Sequence, residues 1–105
     1  MISRVWSGRT AVENADAYER LLREDVFPGI EARVEGFRGA HLLRRAIGDG
    51  VEFIVITMYD SLEAIRQFAG DDYEVAVIEP AARELLEQAD ELARHYETTA
   101  FRGER

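Results

Sequence analysis

Residues 51–59 read Val-Glu-Phe-Ile-Val-Ile-Thr-Met-Tyr, nine residues with a single charge, and their reading decides the fold. β-Branched and aromatic side chains dominate the run, which predicts a strand. Successive strand residues point to opposite faces, so Phe53, Val55 and Tyr59 share one face while Ile54, Ile56 and Met58 share the other. An antiparallel sheet with one wet face should alternate apolar and polar residues. Here both faces are apolar. Helices can cover only one of them, and a second copy of the same sheet is the simplest cover for the other.

Immediately upstream, Gly48-Asp49-Gly50 is a turn signal, and Phe37 to Ile47 reads as the partner strand of a hairpin. Further upstream, Ile2 to Arg9 reads as a first strand. Thr10 and Glu13 have capping-box spacing, and Asn14 is a second possible N-cap. Tyr18, Leu21, Leu22 and Val26 then fall on one face of a helix, which Pro28-Gly29 should kink or restart. Downstream, Asp60 or Ser61 caps a helix with Leu62, Ile65 and Phe68 inward, and Gly70-Asp71-Asp72 ends it. Residues 73–78 are apolar but too short to assign. Pro80 suits the first position of a third helix, with Ala82, Leu85, Leu86 and Ala89 inward. Residues 92–101 read as the last strand and Arg102 to Arg105 as a frayed tail. The order β-α-β-β-α-(α)-β predicts an α+β, ferredoxin-like domain: a four-stranded antiparallel sheet with helices on one face. One such domain spans residues 1–105.

A net charge of -8 argues against nucleic acid, whose phosphates need clustered cations, and against an anionic membrane surface. The chain has no Cys, which excludes disulfides, thiolate catalysis and Cys-ligated metals. It has no Lys either, so a lysine Schiff base is excluded and every cationic side chain is an always-charged Arg. No dinucleotide, phosphate-loop or nucleophile-elbow motif occurs. The opening residues lack the apolar core of a signal peptide and no apolar run has membrane-spanning length, so a cytoplasmic location is expected.

Candidate chemistry rests on few residues. His41 and His95 are the two histidines, on different strands, and either could serve as a base near neutrality. Two His are too few for a metal site, and none is expected. Trp6, Tyr59 and Tyr96 on strands, with Tyr73 after the acidic Gly70-Asp71-Asp72 loop, are core or interface aromatics or else the walls of a flat pocket. Arg44 and Arg45 are adjacent, so they point to opposite faces; one can hold an anion while the other is a solvated or interface charge.

The runs FRGAHLLRR (37–45), VEFIVITMYDSLEAIRQFAG (51–70) and HYE (95–97), with RVWSGRT (4–10) and ENADAY (13–18), resemble the antibiotic-biosynthesis monooxygenase domain family. The resemblance implies a dimeric α+β barrel, a homodimer built through the uncovered sheet face. It also implies a cofactor-independent monooxygenase acting on a small phenol- or quinol-type aromatic. In that chemistry a base deprotonates the substrate, whose anion then reduces O₂. His41 or His95 would be the base, and Arg45, which shares a strand face with His41, would hold the anion. A non-catalytic dimeric ligand-binding or stress-related module of the same fold is the alternative. The family's haem-degrading branch uses an Asn on the first strand, a Trp near the second helix and a His after it. This chain has Ser3-Arg4-Val5, Tyr59-Asp60-Ser61 and a His-free GDDYEVAV at those places, so haem degradation is not expected.

Overall fold

The structure is a computed structural model and describes residues 1–103. Its strands are β1 (Ile2–Ala11), β2 (Phe37–Ile47), β3 (Gly50–Tyr59), β4 (Leu86–Ala89) and β5 (Arg94–Glu97). Its helices are α1 (Val12–Leu21), α2 (Phe27–Arg33), α3 (Leu62–Ala69) and α4 (Pro80–Leu85), with a π-helical turn (Leu22–Val26) joining α1 to α2. The strands are antiparallel in the order β2-β3-β1-β4, and β5 continues along the same edge of β1 as β4. Counting β4 and β5 as one interrupted strand gives the four-stranded, ferredoxin-like α+β sheet expected.

The two-residue turn Gly48-Asp49 sets the β2–β3 register, pairing Ile47 with Gly50. Gly48 has φ +59 and Asp49 does not have positive φ, the pattern of a II′ hairpin turn. The central pair β1–β3 runs unbroken from Ile2↔Tyr59 to Ala11↔Gly50. On its helix-covered face Val51, Phe53, Thr57 and Tyr59 are buried. The edge of the Phe53 ring meets Tyr18 of α1, with centroids 4.8 Å apart. Ile65 of α3 is fully buried in a cluster with Tyr59, Ile30 and Val34.

Some local features differ from expectation, while the helix does break near Pro28 as expected. Thr10 is not an N-cap: β1 extends through it, its buried hydroxyl donates to the Ala11 carbonyl, and α1 begins after Ala11 with no side-chain cap. The break at Pro28 is a π turn just before it. Pro28 then sits in the first turn of α2, directly after the π turn. The third helix stops at Leu85, because Leu86 and the residues after it pair with β1 instead. That pairing breaks at Asp90, and the last strand is Arg94–Glu97, shorter than the 92–101 expected. Residues 73–78 form no regular element beyond the bridge Val75↔Leu92. Ser61 caps α3, its Oγ accepting from the Ala64 N–H at 3.1 Å. Of the expected tail, Glu104 and Arg105 lie outside the described residues. Among the described residues no helix is long and apolar enough to cross a membrane.

Candidate active site

The inward residues of β1, at a period of two, are Ile2, Arg4, Trp6, Gly8 and Thr10. Of these, Arg4 and Trp6, together with Val55 and Thr57 of β3, floor a cavity of about 80 Å³ between sheet and helices. Tyr18 and Leu22 wall it from α1 and the π turn, Phe27 and Ile30 from α2, Phe68 from α3, and Ala82 from α4. The segment Val77-Ile78-Glu79 closes the remaining side, with Glu79 exposed at the mouth. A water needs roughly 10–15 Å³ of cavity, so the space exceeds that of a single water and suits a ligand of about one ring at most.

Trp6 lies across Gly8. A Cβ there would stand 2.5 Å from the indole, so only glycine leaves the ring its place. The indole Nε1–H donates to the Asp90 carbonyl at 2.8 Å, at the break in the edge strand. The interruption between β4 and β5 therefore supplies the acceptor that fixes the one tryptophan of the chain.

Arg4 is the unusual member. It is 4% exposed. Its Nη1 donates to the Tyr73 carbonyl and, at 2.9 Å, to His95 Nε2; its Nη2 donates to the Val75 carbonyl at 3.2 Å. Its guanidinium also lies 5.5 Å from the Phe68 ring centroid. Arg has no lone pair to offer, so His95 Nε2 must be the acceptor and the imidazole carries its proton on Nδ1. Burial, and then the Arg4 charge, push the His95 pKa down from its ordinary value, with Glu74 partly opposing. His95 is thus held neutral at pH 7, with its lone pair on Arg4. The Tyr73 ring packs edge-on against it at 5.1 Å.

Two phenols flank the site. Burial raises the pKa of Tyr18. It also raises that of Tyr59, partly offset by the neighbouring Thr57 hydroxyl and the Arg4 charge. Tyr59 Oη is buried without a hydrogen-bond partner among the described residues. Its ring stacks on Phe68 of the cavity wall, with centroids 6.2 Å apart.

The residues singled out in the sequence separate into two groups. Trp6 lines the cavity, and His95 and Tyr73 meet behind it on Arg4. Tyr59 is a core residue next to it. His41, Arg45 and Tyr96 lie on the opposite, helix-free face of the sheet: His41 is exposed opposite Ile56, Arg45 pairs with Glu52 at 2.6 Å, and Tyr96 is 51% exposed opposite Ser3. Arg44 takes the helix side, where it bridges Asp16 and Glu19 of α1. Sequence reasoning missed Arg4. Its signal was its spacing two residues before Trp6, which places both side chains on one face. No group of three or more His, Asp or Glu residues that could hold a metal ion occurs among the described residues.

This architecture is that of a known family. The sequence profile of antibiotic biosynthesis monooxygenases matches residues 1–79, and the chain belongs to that family. Solved structures share the fold. One is a Bacillus cereus protein assigned as an antibiotic biosynthesis monooxygenase, 16% identical with a TM-score of 0.65 over 100% of this chain and 97% of that one. Another is a mutant of MhuD with two manganese protoporphyrin IX molecules bound per active site, 18% identical with a TM-score of 0.67 over 99% of this chain and 100% of that one. A third is protein Atu4242 of Agrobacterium tumefaciens, 17% identical with a TM-score of 0.62 over 96% of each chain. No curated protein is significantly similar in sequence.

Proposed function

We propose that the protein is a cofactor-independent monooxygenase that binds a single-ring phenol between its sheet and its helices, and that it works as a homodimer through the helix-free sheet face. The observation that carries the enzymatic reading is the aromatic-walled cavity of Trp6, Tyr18, Phe27 and Phe68, backed by the one imidazole on that side of the sheet, His95. Oxygenation without a cofactor asks little of a protein. The phenol supplies all four electrons: its O–H and one ring C–H are lost, a C=O forms at that carbon, and the second oxygen atom leaves as water with the two hydrogens. The site must bind the ring, exclude bulk water and accept the hydroxyl proton. Of the two histidines, only His95 lies on this side of the sheet, and it can accept that proton only by releasing Arg4 Nη1. Haem does not fit these residues: the cavity has room for about one ring, and the nearest imidazole nitrogen is bonded to Arg4.

Dimerisation is supported by Ile54, Ile56 and Met58, which remain partly exposed on the face without helices, beside Leu43 at 47% and Ile47 at 38% exposure. One observation favours a second reading, a non-catalytic ligand-binding dimer: the His95 lone pair is already engaged. Oxygen uptake with hydroquinone- and catechol-type phenols separates the two. An oxygenase consumes one O₂ per quinone carbonyl inserted, above the rate of spontaneous oxidation. Saturable binding without uptake leaves only the module.

A further inference from the structure

The geometry points to Arg4 as the residue that selects the ionised form of the ligand, making the cavity a site for single-ring phenolates rather than for neutral aromatics. The inference rests on the proposed placement of the ligand in this cavity and adds what the cavity discriminates.

Arg4 carries a full charge in a place that does not neutralise it. Its guanidinium is buried, yet it forms no ion pair with any described carboxylate, whereas Arg9, Arg38, Arg44 and Arg45 at the surface all do. Its protein partners are two carbonyls and a neutral imidazole, which orient the group without cancelling its charge. The groups packed around it are Phe68 of α3, the Tyr59 hydroxyl of β3, His95 of β5 and the 73–75 backbone; Glu74, whose charge acts on His95, is exposed, and Glu79 stands exposed at the cavity mouth. Taking an ion out of water costs several kcal/mol unless an opposite charge or good hydrogen bonds compensate.

The hydrogen-bond count shows where a ligand would act. A guanidinium has five N–H donors. Tyr73, His95 and Val75 use two on Nη1 and one on Nη2. Nε–H and one Nη2–H remain, and Arg4 is one of the residues that line the cavity. An oxyanion there would receive charge-assisted hydrogen bonds from an already immobile donor, in a water-poor site where such bonds are strong. A neutral ring would gain only the apolar walls. The three bonds to the protein also mean that Arg4 loses little further entropy on binding an anion.

The test uses 4-nitrophenol, which ionises near neutrality and reports its ionisation by its visible absorption, with 4-nitroanisole as the neutral isostere. For the wild type, the bound nitrophenol should ionise at a pH about one unit or more below that of the free compound, and the anion should bind at least about tenfold tighter than the anisole. Arg4→Met should lose the preference for the anion over the anisole, and Arg4→Lys should keep most of it. Because Arg4 also holds the 73–75 segment, the wild-type ionisation shift decides the question even if Arg4→Met folds poorly. Equal affinity for anion and anisole in the wild type overturns the role of Arg4 while leaving the cavity as a binding site. Failure of both probes to bind overturns the placement of the ligand as well.

Discussion

Ala82→Leu should exchange function for stability. Ala82 is 5% exposed on α4 and lines the same cavity as Arg4 and Trp6. Unfilled core volume costs about 24 cal/mol per Å³, so complete filling of a cavity of about 80 Å³ would stabilise the fold by at most about 2 kcal/mol. A leucine fills part of it, and some of the gain is lost to imperfect fit. We expect a net gain on the order of 1 kcal/mol, which raises the melting temperature of a chain this size by roughly 4–8 °C. Affinity for single-ring phenols should fall at least about tenfold, because the added carbons occupy the space of the ring. Thermal denaturation and a binding titration on the same preparation give both numbers. A variant with raised melting temperature and wild-type affinity would show that phenols bind elsewhere, and the cavity assignment would be wrong.

On the helix-free face, Ile56→Asp should convert a dimer into a monomer. Light scattering should give twice the 11.9 kDa chain mass for the wild type and once that mass for the variant, since each buried unpaired carboxylate costs several kcal/mol; a monomeric wild type sinks the proposal. The depressed pKa of His95 means that the unfolded chain binds its proton more readily than the folded one, so this residue's contribution is present above about pH 6.5 and is lost as pH falls through the lower folded value. His95→Phe should therefore flatten the fall in stability between pH 7 and 5, measured by urea denaturation; an unchanged slope argues against a neutral His95 on Arg4. Incubation with haemin and a reductant should leave the Soret band intact; protein-dependent loss that survives catalase would contradict the mismatch in size and ligand.

The fold was legible because local chemistry and global topology agree. The strand at 51–59, the Gly48-Asp49 turn, the Ser61 cap and the Pro80 start each announce an element that the structure contains. Where local signals failed, tertiary pairing had overridden them. Thr10 has the chemistry of a cap but is claimed by the sheet, and Leu86 has helical spacing but is claimed by the edge of β1. The site was harder to read because period-two alternation gives relative faces, not which face the helices cover. His41 and Arg45 do share a face, and it is the one that helices leave open. His95 lies on the covered face opposite Arg4 and touches the cavity only through that residue, a contact between positions 91 apart. Arg4 is one of 13 arginines in the sequence, and a buried cation without a carboxylate becomes visible only once burial and partners are known together.

A single aromatic ring should bind beside Trp6. The chain has one tryptophan and it lines the cavity, so its fluorescence reports on this site alone. Titration with a 4-substituted phenol, excited beyond the absorption of both ligand and tyrosine, should change the Trp6 emission saturably in the wild type, and the midpoint should move to at least about tenfold higher concentration in Ala82→Leu. Emission that stays constant while equilibrium dialysis shows the phenol bound would place the ligand away from Trp6 and contradict the account.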